Sequence, residues 1–169
     1  DDPSESPGDA VLSIQSSAPR TLPIDQSPAA VDDELMTAVY EAEEIDALST
    51  AIDYCHAILA RDGPRADISF LLGELLYRDG HVIAARERYY AAIELDPDFV
   101  EARASLAAVL AETGQSELAV AAYRGALELH EDYPDAHYNL ARICELNGDE
   151  VSALRHMRQY RDLLDQEAE

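Results

Sequence analysis

Lysine and tryptophan are absent from this 169-residue chain, and cysteine, methionine and phenylalanine occur only twice each. The 12 basic residues are therefore all arginine, and 35 Asp and Glu residues bring the formal net charge to −23. A surface of that sign repels phosphate, so direct binding to nucleic acids or to anionic membranes is not expected. No apolar run approaches the roughly 18 residues that a membrane-spanning helix needs, and no signal peptide is visible. We expect a cytoplasmic protein.

The sequence also lacks a recognisable catalytic or metal-binding pattern. No two of its five histidines stand at the one-turn spacing of a helical metal site. There is no glycine-rich phosphate loop, and no nucleophile stands beside an activating base in a way that the sequence can show. We therefore expect a protein that is not an enzyme and that holds no cofactor and no metal.

Residues 1–31 differ in composition from the rest. Five of the eight prolines fall there, among Ser, Asp and Gln, with only short apolar patches. Such a segment buries too little apolar surface to fold alone, and we expect an extended or disordered linker. The chain begins without Met, which agrees with a processed protein or with a fragment of a longer one.

What fills the remainder is an internal repeat. Four alanines, Ala51, Ala85, Ala119 and Ala153, stand 34 residues apart. Around them the sequence divides into blocks at 32–65, 66–99, 100–133 and 134–167. A repeat of this length cannot bury its apolar stripe alone, so successive blocks must stack. Two cysteines three blocks apart, Cys55 and Cys144, are then too distant for a disulfide, and buried thiols fit a reducing compartment.

Each block reads as two amphipathic helices. In the second block, apolar residues recur at three- and four-residue spacing on both sides of Asp79-Gly80. A glycine after the last apolar turn suits the left-handed conformation that ends a helix, and Pro97 stops the second helix. The first block carries Asp46 where the others have this glycine. No segment alternates like a strand, and the fold class predicted is all-α.

The repeat resembles the tetratricopeptide repeat (TPR) family. The second block matches its pattern with the pair Leu72-Gly73, the turn residue Gly80, the small residue Ala85, the aromatic Tyr89 and the closing Pro97. The third and fourth blocks keep most of these positions, and the first departs most. The resemblance implies a right-handed superhelix of four helical hairpins.

In that family the first helix of each hairpin lines a concave groove. Transferred by position, the resemblance implies a peptide groove that displays the following residues: Tyr40, Asp67, Phe70, Glu74, Tyr77, Arg78, Glu101, Glu112, Asp135, Tyr138, Arg142 and Glu145. Aromatic and acidic groups dominate this set. A peptide or helix with apolar and basic side chains is the expected partner, and the protein is expected to act as a non-catalytic adaptor.

Other interpretations remain open. The acidic groups could serve solubility alone, since acidity is spread along the chain. Family members that clamp a C-terminal carboxylate use Lys, Arg and Asn at groove positions that here hold Phe70, Glu74, Ser105 and Asp135, so an acidic peptide terminus should be repelled. The stretches 86–103 and 135–142 also resemble C-terminal arrays of bacterial proteins that begin with a MerR-like helix-turn-helix, which would make the chain the partner-binding segment of a transcriptional regulator. Lastly, residues 11–14 or 21–24 could lie in the groove.

Overall fold

The computed structural model describes residues 28–167, and the side chains of 34–166, as eight α-helices without a strand in that range. They are α1 (Pro28–Glu44), α2 (Leu48–Asp62), α3 (Ala66–Arg78), α4 (Val82–Leu95), α5 (Val100–Glu112), α6 (Ser116–Leu129), α7 (Pro134–Leu146) and α8 (Glu150–Glu167). Helix α1 begins before the expected boundary at 32, at a proline whose fixed φ and missing amide proton suit the first helical position. The rest of the expected linker, and its proposed groove segments, lie outside the described residues.

The prediction of an all-α stack of helical hairpins is confirmed. Each 34-residue block holds one antiparallel pair, and each hairpin packs on the next through its neighbouring helices. Among the helices of the described range, none is long and apolar enough to cross a bilayer.

The turn inside each hairpin has one geometry in all four repeats. Gly80, Gly114 and Gly148 have φ of 83°, 80° and 77°, and Asp46 takes the same left-handed region with φ of 56°. In every repeat the following amide donates a hydrogen bond to the carbonyl five residues back, at 2.8 to 2.9 Å. The departure of the first repeat at Asp46 therefore changes the residue and not the turn. An Asp side chain tolerates this region better than most, at a strain that glycine does not carry.

Asp46→Gly is expected to stabilise the fold. Relief of left-handed strain, on the order of 1 kcal/mol, should exceed the entropy that glycine adds to the unfolded chain. Asp79→Gly is the matched control, because Asp79 also ends a helix but has φ of −80°, so no strain is relieved there. Each substitution also removes one exposed carboxylate contact, that of Asp46 with Arg78 at 3.7 Å or that of Asp79 with His81 at 3.1 Å. Urea unfolding should therefore show a gain of about 0.5 kcal/mol for the first variant and a loss for the second. A loss for both would contradict this reading of the turn.

Small and large side chains interlock at the core. Ala51, Ala85 and Ala119 are completely buried, and Tyr89 and Tyr123 are 1% exposed. A Cβ built on Gly73 would lie 2.6 Å from Cε1 and 2.8 Å from Cδ1 of the Tyr89 ring. Only glycine allows α3 and α4 to approach this closely around the ring. The backbone of α3 and its groove side chains are thereby held in place.

Candidate functional site in the groove

The first helices of the hairpins, α1, α3, α5 and α7, meet along one side of the stack, which we call the groove. Their side chains reach across from one repeat to the next, and α5 and α7 also contact each other directly. The sequence-predicted groove residues all lie on these four helices. Their environments divide them into those that join repeats and those that face outward.

One set of contacts recurs at a 35-residue spacing. Nη1 of Arg78 lies 2.6 Å from Oε1 of Glu43, joining the first two repeats. At the equivalent place one repeat later, the hydroxyl of Tyr77 donates to Oε2 of Glu112 at 2.7 Å. This hydrogen bond, followed by burial and the carboxylate charge, raises the pKa of Tyr77. These groove residues are already engaged by a neighbouring repeat.

A second contact set lies deeper. The carboxylate of Glu74 accepts a hydrogen bond from the buried Tyr89 hydroxyl at 2.7 Å and another from Ser105 Oγ at 2.9 Å. Burial and this contact raise the pKa of Tyr89 far above its ordinary value, so the phenol stays neutral and donates. Glu74 therefore joins α3, α4 and α5.

Between α5 and α7 the positions equivalent to Glu74 and Tyr77 hold small residues. Ala108 stands where Glu74 is one repeat earlier, and Ala111 stands where Tyr77 is. A cavity of about 360 Å³ results. Its lining includes Ala108, Ala111, Tyr123, Asn139, Ile143 and Arg142. The groove is therefore filled by its own side chains at the junction of the second and third repeats and open at the next junction.

The predicted aromatic residues have different surroundings. Tyr40, Tyr77 and Tyr138 are 56%, 40% and 39% exposed. Phe70 is half-buried, with its ring centroid 4.8 Å from that of Phe99 and 6.0 Å from that of Tyr89. The tyrosines offer contact area to a partner, whereas Phe70 mainly packs within the fold.

The Tyr138 ring is held from two sides in the last repeat. It lies 5.2 Å from the Tyr160 ring, and the guanidinium carbon of Arg142 is 5.9 Å from its centroid. Aromatic and cation–π contacts of this kind orient a ring without burying it. An exposed aromatic with restricted rotamers loses little entropy when it binds a partner.

The predicted acidic residues are likewise divided. Asp67 pairs with Nη2 of Arg65 at 2.7 Å, and this hydrogen bond holds the pKa of Asp67 below its ordinary value. The carboxylates of Glu101, Asp135 and Glu145 make no hydrogen bond or ion pair with any residue in 34–166. Three groove acids are thus available to a cationic partner.

The acids of successive repeats converge on one tyrosine. Burial raises the pKa of Tyr133, and the charges of Asp135, Glu101 and Glu74 raise it further. All three carboxylates therefore contribute to the same negative field near the start of α7. Such a field attracts Lys or Arg side chains and weakens as salt is added.

Two histidines that no sequence pattern brings together are in contact. His137, 7% exposed, lies with its Nδ1 atom 3.0 Å from Nδ1 of His156 and its Nε2 atom 3.1 Å from the Glu131 carbonyl. A carbonyl only accepts, so His137 Nε2 carries a proton, and when that is the only proton on the ring, Nδ1 of His137 accepts from His156. Within the part of the chain described, no three His, Cys, Asp or Glu side chains form a metal-binding group. The pair fastens α7 to α8 behind the groove.

Stability should fall in mild acid because of this pair. Burial, then the charges of His137, Arg155 and Arg124, lower the pKa of His156 from 6.5, and Asp149 partly opposes them. As pH falls, the unfolded chain therefore binds a proton at His156 before the folded chain does. The contribution of neutral His156 to the free energy of unfolding is complete above the pKa of His156 in the unfolded chain, and it is lost as pH falls through the pKa of His156 in the folded chain. Thermal unfolding between about pH 5.5 and pH 7 should depend less on pH in His156→Gln than in the wild type. The exposed His56→Gln should keep the wild-type slope, and equal slopes in all three would contradict the assignment.

Stacked helical hairpins that share one turn and one interlocked core define an α-solenoid. Models of the tetratricopeptide repeat match residues 48–98 and 89–121, and a TPR repeat model matches 109–148. Together these matches span more than half of the chain. The chain belongs to the tetratricopeptide repeat family, and at this level it is a protein-interaction scaffold with protein or peptide partners.

Solved structures share the fold. The chain is similar to MamA at 18% identity over 80% of each chain, with a TM-score of 0.75, and to MamA from Desulfovibrio magneticus RS-1 at 16% identity over 79% of this chain and 76% of that one, with a TM-score of 0.72. It is also similar to YrrB, a TPR protein with an unusual peptide-binding site, at 20% identity over 80% of this chain and 70% of that one, with a TM-score of 0.69. No curated protein sequence matches significantly.

Proposed function

We propose that the chain is a non-catalytic adaptor that binds an extended or helical protein segment along the groove. The observation that carries the proposal is the combination of exposed, oriented tyrosines with three unpaired carboxylates on the first helices. YrrB, which shares the fold, is described as having a peptide-binding site, and this supports a peptide as the ligand. Exposed aromatics are typical anchors of protein interfaces.

The partner segment carries apolar and basic side chains. Tyr77 and Tyr138 supply apolar contact area, while Glu101, Asp135 and Glu145 attract Lys or Arg. Because these acids are exposed, their attraction is screened by salt. The affinity should therefore fall as the salt concentration rises.

Peptides selected from a random displayed library against the full chain test the proposal. Tyr138→Ala is expected to lower the affinity for a selected peptide roughly tenfold or more, in the range of interface hot spots. Tyr90→Ala is the matched control, because Tyr90 is 42% exposed but lies on the second helix α4. Titration calorimetry measures both, and circular dichroism checks that each variant remains folded.

A charge comparison tests the expected partner chemistry. The triple variant Glu101→Gln, Asp135→Asn, Glu145→Gln should flatten the salt dependence of peptide affinity. The triple variant Glu94→Gln, Glu117→Gln, Glu128→Gln removes the same charge from the second helices α4 and α6 and should leave that dependence unchanged. If Tyr138→Ala binds like Tyr90→Ala, or if the library yields no binder, the groove proposal is wrong.

The MerR-like alternative concerns sequence upstream of Asp1 and stays a prediction. In that case this segment would recruit or sense a partner for a transcriptional regulator. The full-length gene decides it: a helix-turn-helix ahead of Asp1 would support the alternative, and none would eliminate it.

A further inference from the structure

The cavity between α5 and α7 differs from the corresponding place one repeat earlier in a specific way. In the earlier place, the Glu74 carboxylate sits between the Tyr89 hydroxyl and the Ser105 hydroxyl, at 2.7 and 2.9 Å. Shifting each residue by 34 gives Ala108, Tyr123 and Asn139, all of which line the cavity. One repeat later the tyrosine is kept, the serine is replaced by another polar residue, asparagine, and the carboxylate between them is replaced by a methyl group.

Tyr123 is the polar group that this replacement leaves exposed to the cavity. The residue is 1% exposed, yet its hydroxyl makes no hydrogen bond with any residue of the described range. Burial, followed by the charges of Tyr133, Asp135 and Tyr77, raises the pKa of Tyr123 to about 12. The phenol therefore remains a neutral donor. Among the described residues no side-chain polar atom is both fully buried and without a partner, so the Tyr123 hydroxyl reaches solvent through the cavity, where an acceptor can be placed against it.

The other polar groups of the cavity also suit an anionic acceptor. Asn139 uses Nδ2 once, donating to the Asp135 carbonyl at 2.9 Å, and its second amide proton remains. Arg142 adds a guanidinium to the lining. The one carboxylate of the lining, Glu112, already accepts from Tyr77 on the neighbouring repeat.

The acidity of the surrounding groove does not exclude a carboxylate here. Asp135, which acts on Tyr123 in the cavity, also acts on Tyr133 together with Glu101 and Glu74, so Glu74 itself lies in the same negative field. Glu74 is nonetheless held by its two hydroxyl donors. The cavity adds Arg142, where the equivalent residue one repeat earlier is the uncharged Ala108. It also has Glu112 where the equivalent residue is Arg78, but the Glu112 carboxylate already accepts a hydrogen bond from Tyr77. The lining therefore offers a bound carboxylate one guanidinium beside the phenol and the amide.

We propose that the cavity binds the side-chain carboxylate of a glutamate from the partner segment, in the place that Glu74 fills one repeat earlier. The inference rests on the proposed function for the source of this glutamate. The bound segment would then be mixed in charge, with basic groups near the groove acids and one glutamate inserted between α5 and α7. A hydrogen bond from a neutral phenol to a carboxylate is among the stronger side-chain contacts.

Sodium propionate, which carries the end of a glutamate side chain, tests the cavity without a peptide. Titrated into the full chain at constant ionic strength, it should shift the NMR signals of the Tyr123 ring and of the Asn139 side-chain amide to saturation. Tyr123→Phe should weaken propionate roughly tenfold, since a hydrogen bond to a charged group is lost. Ala108→Glu should abolish binding by placing an internal carboxylate in the cavity. Ala84→Glu, which adds the same charge to an exposed site on α4, should bind propionate like the wild type.

Two results would overturn the assignment of the cavity. One is the absence of saturable shifts with propionate. The other is that propionamide binds the wild type as strongly as propionate does, or that propionate binds Tyr123→Phe as strongly as the wild type. The displayed peptides then separate the two proposals. Groove-binding peptides should share a glutamate, and its replacement by Gln should lower the affinity of the peptide for the wild type but not for Ala108→Glu. Peptides that bind the groove without such a glutamate would refute the inference but not the proposed function. If amidation of the peptide C-terminus abolishes binding, the cavity binds the terminal carboxylate and not a glutamate side chain, which also refutes the inference.

Discussion

Tyr89→Ala is expected to lower the free energy of unfolding by about 3–5 kcal/mol, the range of large aromatic truncations in protein cores. The side chain is 1% exposed, its ring packs 6.0 Å from Phe70, and its hydroxyl donates to Glu74. Truncation leaves a cavity at the crossing of α3 and α4 and removes one of the two donors that hold Glu74. Urea unfolding followed by far-ultraviolet circular dichroism measures the loss.

Two further variants identify its cause. Tyr89→Phe keeps the ring and removes only the hydroxyl, so about 1 kcal/mol should be lost. Tyr90→Ala truncates the next residue of the same helix, which is 42% exposed, and should change stability by less than about 0.5 kcal/mol. Equal losses for Tyr89→Ala and Tyr90→Ala would contradict the interlocked packing of the core.

Gly73→Ala is expected to destabilise the fold by about 1–3 kcal/mol despite the better helix propensity of alanine. Its new methyl group would lie 2.6 Å from a Tyr89 ring carbon. The ring cannot move aside easily, because it is buried and its hydroxyl is hydrogen-bonded. The clash therefore has to be relieved by moving α3 away from α4.

Gly125→Ala is the control for that substitution. Gly125 also lies inside a helix, but a Cβ there would meet only Nη1 of Arg103, at 3.4 Å. The gain in propensity should therefore prevail, and stability should rise by about 0.5–1 kcal/mol. A second check is the double variant Gly73→Ala, Tyr89→Ala, which should be less destabilised than the sum of the single losses, because the methyl group enters space left by the ring. Losses of equal size at Gly73 and Gly125 would contradict the packing argument.

The repeat and its helices could be predicted because burial imposes residue size at fixed spacing. Ala85 and Ala119 have to be small where helices cross, and Tyr89 and Tyr123 have to be large, so the 34-residue period is visible in the sequence. Asp46 stands where the other three repeats have a turn glycine, yet its backbone adopts the same turn. Tertiary packing on both sides of the hairpin fixes that turn whichever residue occupies it.

The position of the groove residues on the first helices was predictable, but their contacts were not. A family position shows that a side chain lies on a first helix, but it does not show whether a neighbouring repeat already binds that side chain. Arg78 and Glu74 are engaged in this way, and their partners Glu43 and Ser105 lie 35 and 31 residues away. The 35-residue spacing of complementary groups was readable in the sequence, as was the replacement of Glu74 by Ala108 one repeat later.

The histidine pair had no such signal. His137 and His156 are 19 residues apart on α7 and α8. Which side chains meet between two helices depends on how the helices cross. The equivalent positions of the other repeats hold no histidine pair that would have indicated this contact. Their contact therefore had to be seen in the structure.

The most direct test of the groove is a backbone amide chemical-shift map of the full chain with a library-selected peptide. Saturating peptide is expected to shift signals of α3, α5 and α7 and to leave the outward residues of α4 and α6, such as Tyr90, unchanged. Shifts concentrated on α4 and α6, or at the exposed Ile83 and Leu118, would contradict it and place the binding surface on the second helices.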